Sequence, residues 1–285
     1  MSIIFILVAI VAIFFVSKQI LQKKPQETNV EENQDSNRNE KIIILLRNLG
    51  CKVTLLGKFD SDAEKSLTEQ YIKDATIQRQ NGFVRVLVEM DELFTDNLFI
   101  EFDEHLDDLE RHIQERLATP MTDARAIFDE RLTELKKIYS DSDSENSIDW
   151  ETDIIGTNVK LEQDEALKHI ELGGKTDNLI AVDVPVKNAY DIFCYLPFGG
   201  PESPSPMEQR SIAKYWFEKY GAVPCFMSGD VLQYYVDRPV KEKDAYSLAL
   251  EQLGFCPDIV TQGYDTVKHL EKILSRSSFW FFWWD

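Results

Sequence analysis

The side chains best equipped for chemistry lie in the stretch "EQLGFCPDIVTQG", Glu251 to Gly263, where a thiol, two carboxylates and two amides fall close together. Cys256 would attack as a thiolate, given a base to deprotonate it. Glu251 with Asp258 would do acid–base work or hold a divalent ion. For hydrolysis through Glu251, Asp258 and Asp285, those carboxylates must converge within about 5–9 Å in an open cleft. Asp230, Arg238, Gln262, Trp283, Trp284 and Asp285 complete the expected pocket, in which polar turns sit beside an aromatic strand and a scaffold positions the functional groups. In the plainer reading Arg238 pairs with Asp258 or Glu251 and locks the loop. His269 is the only histidine of this part of the chain. It is expected on a helix, facing solvent among Lys268, Glu271 and Lys272, which leaves Cys256 without a base.

Other chemistry is thinner. His105 and His112 lie seven apart with Asp108 between them, a spacing that suits one helical face and fits a metal pair or a helix boundary. Asp141, Asp143, Glu145 and Asp149 mimic four positions of a calcium-binding loop. Asn146 then stands where that loop needs Gly, and Thr152 where it needs a bidentate Glu. There is no phosphate-binding loop, dinucleotide-binding glycine pattern, zinc-protease motif or nucleophile elbow. No metal, cofactor or catalytic residue is assigned.

These groups need elements to carry them. "FVRVLVEM" alternates apolar and polar residues and predicts a strand from Phe83 to Glu89; Leu98–Phe102 is read as a second. Ile42–Leu46 fits a buried strand or a short helix ended by Gly50. From Asp103 to Tyr139 the apolar residues recur at three and four, which predicts an acidic helical hairpin broken at Pro120 and open to a partner. Leu179–Val186 and Asp191–Phe198 read as strands, a helix from about Met207 ends at Gly221, and a hairpin turns at Ser228-Gly229. Two further helices follow, the first closed by Gly254, and "FWFFWW" closes the chain as a strand. The class is α+β: a C-terminal domain with a largely antiparallel sheet and flanking helices, preceded by a smaller α+β region. The boundaries are an anchor at 1–21, a disordered acidic linker at 22–40, the smaller region at 41–139, a linker at 140–176 and the C-terminal domain at 177–285.

In the closing strand Phe279, Phe281 and Trp283 share one face, and Trp280, Phe282 and Trp284 the other. With rings on both faces it should lie inside the sheet, covered on two sides. From about Val184 to Asp285 the elements "LPFGG", "KYWFEKYGA", "GDVLQYYVDRP", "LALEQLGFCPDIVTQG" and "FWWD" occur in order. This part resembles a bacterial domain-of-unknown-function family whose members end in Trp-Trp-Asp. That family continues after Gly-Gly with a Trp-Asn and a Cys-Pro, whereas this chain has Pro201-Glu202-Ser203-Pro204-Ser205-Pro206. The resemblance implies a domain and supplies no reaction.

The net charge is −19 over 285 residues, about −14 of it on residues 1–176 and about −5 on 177–285. Such a surface repels phosphate backbones, and no basic stripe interrupts it, so nucleic acid is excluded as a partner. Cys51, Cys194, Cys225 and Cys256 are far apart and read as small buried residues in a reducing compartment. Ile3–Val16 is unbroken apolar sequence, with Lys18, Lys23 and Lys24 just after it. It predicts an uncleaved single-pass membrane helix over 1–21, with the bulk of the chain in the cytoplasm. The resulting expectation is a membrane-anchored, cytosol-facing binding or interaction module with a protein partner. A hydrolase built on Glu251, Asp258 and Asp285 is the alternative.

Overall fold

Ile42, Leu45, Leu46 and Leu49 recur at three- and four-residue steps and all are buried. The apolar run that fitted either a strand or a helix therefore closes a helix, α1 (Thr28–Asn48). The computed structural model describes residues 28–140, 148–157, 165–200 and 202–285. They divide between two units, the first ending at Lys41 and the second running from Ile42 to Asp285. Within the first, the described part of the expected linker is helical from Thr28.

In the second unit, β1 (Lys52–Phe59) leads to α2 (Glu64–Gln80) and to β2 (Val84–Glu89), the strand expected from its alternation. The second expected strand, Leu98–Phe102, is instead part of a helix, α3 (Glu92–Phe102). Phe94, Leu98 and Phe102 are all fully buried at four-residue steps, a helical stripe. Asp91 starts the helix by accepting the Phe94 amide at 2.7 Å. The predicted hairpin forms as α4 (Leu109–Ala118) and α5 (Ala124–Ser140).

β3 (Thr176–Val184) follows. The strand expected at Asp191–Phe198 is corrected to a 3₁₀ turn, Ala189–Cys194. Every residue from Asp191 to Phe198 is buried, so no alternation of faces exists there. The Asp191 carboxylate is held by Asn188 at 2.9 Å and by Arg210 at 2.8 Å. α6 (Pro206–Tyr220) opens with a Ser205–Glu208 capping box and ends at Gly221. The hairpin β4 (Val223–Met227) and β5 (Val231–Tyr235), α7 (Glu242–Phe255), α8 (Val267–Leu274) and β6 (Phe279–Trp283) complete the chain.

The six strands form one sheet in the order β1-β3-β2-β4-β5-β6. All neighbours are antiparallel except β2 and β4, which run parallel with Leu87 opposite Phe226 and Val88 opposite Met227. The α+β class and mostly antiparallel sheet match expectation. The smaller region, however, contributes its strands to the same sheet: β2, from residues 41–139, is inserted between β3 and β4.

The closing strand lies at the sheet edge rather than inside it. Trp280, Phe282 and Trp284 are buried in the larger core, around Trp216, which stacks on Phe282 and meets Trp280 edge-on. On the other face Phe279 is buried, while Phe281 and Trp283 are half-exposed. That face carries a smaller core under α2, because fewer elements cover it.

Two arginines bind the helical hairpin to the rest. Arg210 donates to the carbonyls of Arg116, Leu117 and Thr119, which the end of α4 would otherwise leave unpaired. Arg116 donates to the carbonyls of Phe193 and Cys194. All four cysteines are free and buried.

The single-pass membrane placement is corrected. Among the described residues no helix is long and apolar enough to cross a membrane. α1 is long enough, but Arg38, Glu40, Lys41 and Arg47 put charges along it that hydrocarbon rejects. Residues 1–21, on which the expectation rested, lie outside the described residues, as do Asp141, Asp143 and Glu145 of the calcium-loop mimic. Asp149 of that mimic caps a short π-helical turn, Trp150–Ile155, by accepting the Thr152 amide at 2.8 Å.

Candidate functional site

Glu251, the carboxylate on which acid–base chemistry was expected to turn, is enclosed. Its side chain is 10% exposed and pairs with Lys219 at 2.7 Å. It also accepts from Tyr215 Oη at 2.8 Å and Trp216 Nε1 at 3.1 Å, with Ser247 and Tyr220 further out at 3.3 and 3.4 Å. Burial opposes the charge of Lys219, yet Glu251 and the two tyrosine hydroxyls hold its ammonium above the usual range. A carboxylate whose lone pairs are all engaged has no capacity left for a substrate proton. A cavity of about 340 Å³ lies beside it, walled by Phe128 and Leu132 and reached by Arg125 and Asp129.

Arg238 does not lock the loop. Its side chain is 91% exposed, and its acidic neighbour is Asp237 at 3.8 Å. Cys256 is fully buried and its Sγ donates to the Trp283 carbonyl at 2.9 Å. Burial pushes the thiol up to about 12, so at neutral pH it carries no nucleophilic thiolate. His269 is not solvent-facing: it is 19% exposed, with Nε2 2.7 Å from the Glu165 carboxylate. His105 and His112 stack at 3.8 Å between ring centroids, and His112 Nε2 lies 3.1 Å from Glu101.

Seven of the nine expected pocket residues do meet at one corner of the sheet. Asp258 accepts from Gln262 at 3.1 Å and from the Asp285 amide at 3.4 Å. The Trp284 amide donates to the Asp230 carbonyl at 3.1 Å, and its ring packs on Phe198 and Phe255. Trp283 lies against Gly263, and Cys256 joins through Trp283. Glu251 faces α6 instead, and Arg238 faces solvent. The Glu251 carboxylate is thus engaged by α6 while Asp258 is engaged by Gln262 and Asp285, which is no geometry for shared acid–base work.

Sequence reasoning missed a second cluster, on the other side of the Ser228–Asp230 turn. β2 and β4 are parallel, and their carboxyl ends open onto a cavity of about 190 Å³. The ends of parallel strands are where open sheets commonly receive ligands. Glu89, Asp91, Glu171 and Asp230 line it, with Phe226 and Phe281 as apolar walls and, among the described residues, no Lys or Arg in the lining. Asp91 is fixed at both oxygens, by the Phe94 amide and by the Gly229 amide at 2.8 Å. Ser228 Oγ donates to Asp230 at 3.1 Å and accepts the Val231 amide at 3.0 Å. Gly229 is required here, since a Cβ would fall 2.4 Å from Leu93 Cβ. Burial pushes the Glu89 carboxyl up, and the charges of Asp91 and Asp230 push it further. Burial raises Glu171 as well, with Glu64 adding to it. Among the described residues no three His, Cys, Asp or Glu side chains are disposed to hold a metal ion. The one signal in the sequence was Glu89-Met90-Asp91-Glu92, a strand end running straight into a helix cap. Reading Leu98–Phe102 as a strand hid it.

Comparison with known families decides what this part of the molecule is. Residues 180–285 match the model of Domain of unknown function (DUF4253). They form a DUF4253 domain. No curated protein and no solved structure matches the chain. The DUF4253 domain contains the whole Glu251 cluster and the corner of Trp284. It supplies Asp230, Phe226 and Phe281 to the acidic cavity, while Glu89, Asp91 and Glu171 come from outside it. Its strands β3 and β4 touch in the sheet only through β2, which also lies outside it.

Proposed function

We propose that this protein is a non-catalytic binding module that captures a cationic partner at the cavity where β2 and β4 end. The observation that carries this reading is a contrast of pairing. Glu251 lines a cavity of its own, but its carboxylate is committed to Lys219, Tyr215 and Trp216, and Cys256 is buried. The carboxylates at the cavity where β2 and β4 end have no Lys or Arg in the lining among the described residues. Phe226 and Phe281 would add cation–π attraction and exclude water around a bound ammonium or guanidinium. The finer resemblance, to a bacterial family ending in Trp-Trp-Asp, belongs to this proposal and names no reaction.

The test is calorimetric titration of the full chain with spermidine and with arginine amide at low salt. Saturable binding is expected, weakening at least about tenfold in Glu89→Gln/Asp230→Asn and falling with added salt. Binding of neither probe, or turnover of a hydrolase substrate panel that Glu251→Gln abolishes, would sink the reading.

A further inference from the structure

The smaller core is incompletely filled. On the face of the sheet beneath α2, Leu87, Leu179 and Phe226 are buried, but β3 contributes only the methyl of Ala181 directly opposite Leu87. A cavity of about 220 Å³ opens there between α2 and strands β1, β2 and β3. Leu56, Phe59, Leu67, Leu87 and Ala181 make its wall apolar, and the exposed Ser66 and Gln70 mark its mouth. Protein interiors pack to the density of organic crystals, so space of this size is lost stability unless something occupies it.

At the polar end the charges are paired but the hydrogen bonds are not complete. Arg85, its side chain 11% exposed, lies there with Asp74. Its Nε and one terminal nitrogen donate to the two oxygens of Asp183 at 2.7 and 2.8 Å. The other terminal nitrogen donates to Asp74 at 2.8 Å. A guanidinium carries five N–H donors, so two remain. Gln70 donates its amide to Asp74 at 2.8 Å and, among the described residues, its carbonyl oxygen accepts nothing.

This end selects a neutral ligand. A carboxylate entering here would face Asp74 and Asp183, and an ammonium would face the guanidinium, with no free counter-ion for either. Burying a charge on those terms is costly. A hydroxyl or carbonyl oxygen instead accepts from the spare N–H groups, and a hydroxyl also donates to Gln70.

We propose that this cavity binds a neutral ring compound with one hydroxyl or carbonyl oxygen at its end. An apolar cavity of about 150 Å³ takes benzene, so the space of about 220 Å³ here suits roughly nine non-hydrogen atoms. The cavity shares no lining residue with the acidic one. The inference therefore goes beyond the cationic-partner reading and does not rest on it.

The experiment is calorimetric titration of the full chain with phenethyl alcohol, phenylacetate and phenethylamine, which share a ring and differ in the charge of the head group. Saturable binding of the alcohol is expected, with both ions at least about tenfold weaker. Ala181→Leu should fill the space, weakening the alcohol at least about tenfold while leaving the melting temperature unchanged or raised. Loss of affinity without loss of stability excludes misfolding as its cause. If that variant does not melt cooperatively, Leu56→Ala decides, since widening the cavity from an edge strand should shift preference from phenethyl alcohol to naphthylethanol. Spermidine should neither compete with the alcohol nor respond to Ala181→Leu. No binding of the alcohol, binding indifferent to both variants, or either ion binding as tightly would overturn the inference. Competition by spermidine would place the alcohol in the acidic cavity and overturn it as well.

Discussion

Glu251 and Glu89 are the same side chain in opposite settings. Glu251 is surrounded by donors from α6 and α7, all within the matched domain, and its charge is neutralised by Lys219 at 2.7 Å. Glu89 ends a strand from outside that domain, faces Asp91 and Asp230, and among the described residues no Lys or Arg lines its cavity. The first is an internal lock that one segment builds alone. The second is composite, and its unbalanced charge is retained at a cost to the fold. The difference teaches that density of polar residues in sequence points to locks as readily as to sites. What marks a site is charge that the fold leaves uncompensated.

The hardest way to break this comparison is to cut the chain. A fragment of residues 177–285 keeps every partner of Glu251 but loses β2, so β3 has no neighbour joining it to β4. Its cooperative thermal transition should vanish, as read by calorimetry, whereas residues 42–285 should retain it. A fragment that melts sharply would show that the lock suffices for a fold. Next in size is Glu251→Ala, which leaves the buried Trp216 N–H without its acceptor and takes the partner carboxylate from Lys219. A loss of about 3 kcal/mol in urea unfolding is expected, with Glu251→Gln retaining part of it. Asp91→Ala removes a helix cap and the Gly229 tether together, for about 1–2 kcal/mol. A loss well under that would mean the cap and the turn are held by something else.

The smallest effect has the opposite sign. Glu89 and Glu171 have folded carboxyls held above the ordinary 4.5, burial being the main cause. In the window between 4.5 and the raised folded values the native state binds more protons than the unfolded one. Stability therefore falls as pH rises through that window. Glu89→Gln should flatten the fall in urea midpoint as pH rises through that window and raise the midpoint at its upper end. A steeper fall in the variant would mean that Glu89 is paired after all.

Much of the fold was legible. Alternation in "FVRVLVEM" predicted β2, the Ser228-Gly229 turn predicted the β4–β5 hairpin, and recurrence at three and four predicted α4 and α5. The failures share one physical origin. Leu98–Phe102 and Asp191–Phe198 are runs too short for periodicity to tell a helical stripe from a strand, and the second is buried throughout, so no alternation of faces exists there. The aromatic ending was rightly read as a strand, but its place at an edge depends on which strands arrive beside β5. Of the expected site, the Asp258–Asp285 corner came together, because its members are turns flanking adjacent strands. Glu251 and Arg238 did not join it, since a helix face and a solvent-exposed turn carried them elsewhere.

What the sequence determined alone are local quantities: which segments pair a period with a cap, how acidic the chain is, and which stretch belongs to a recurring domain. Such features depend on neighbours a few residues away. What only the tertiary structure decided is that β2 enters between β3 and β4. That insertion, between residues up to about half the chain apart, sets Glu89 and Asp91 opposite Asp230 and creates the uncompensated charge. Long-range strand pairing follows from the packing of whole faces, and no short window of residues encodes it.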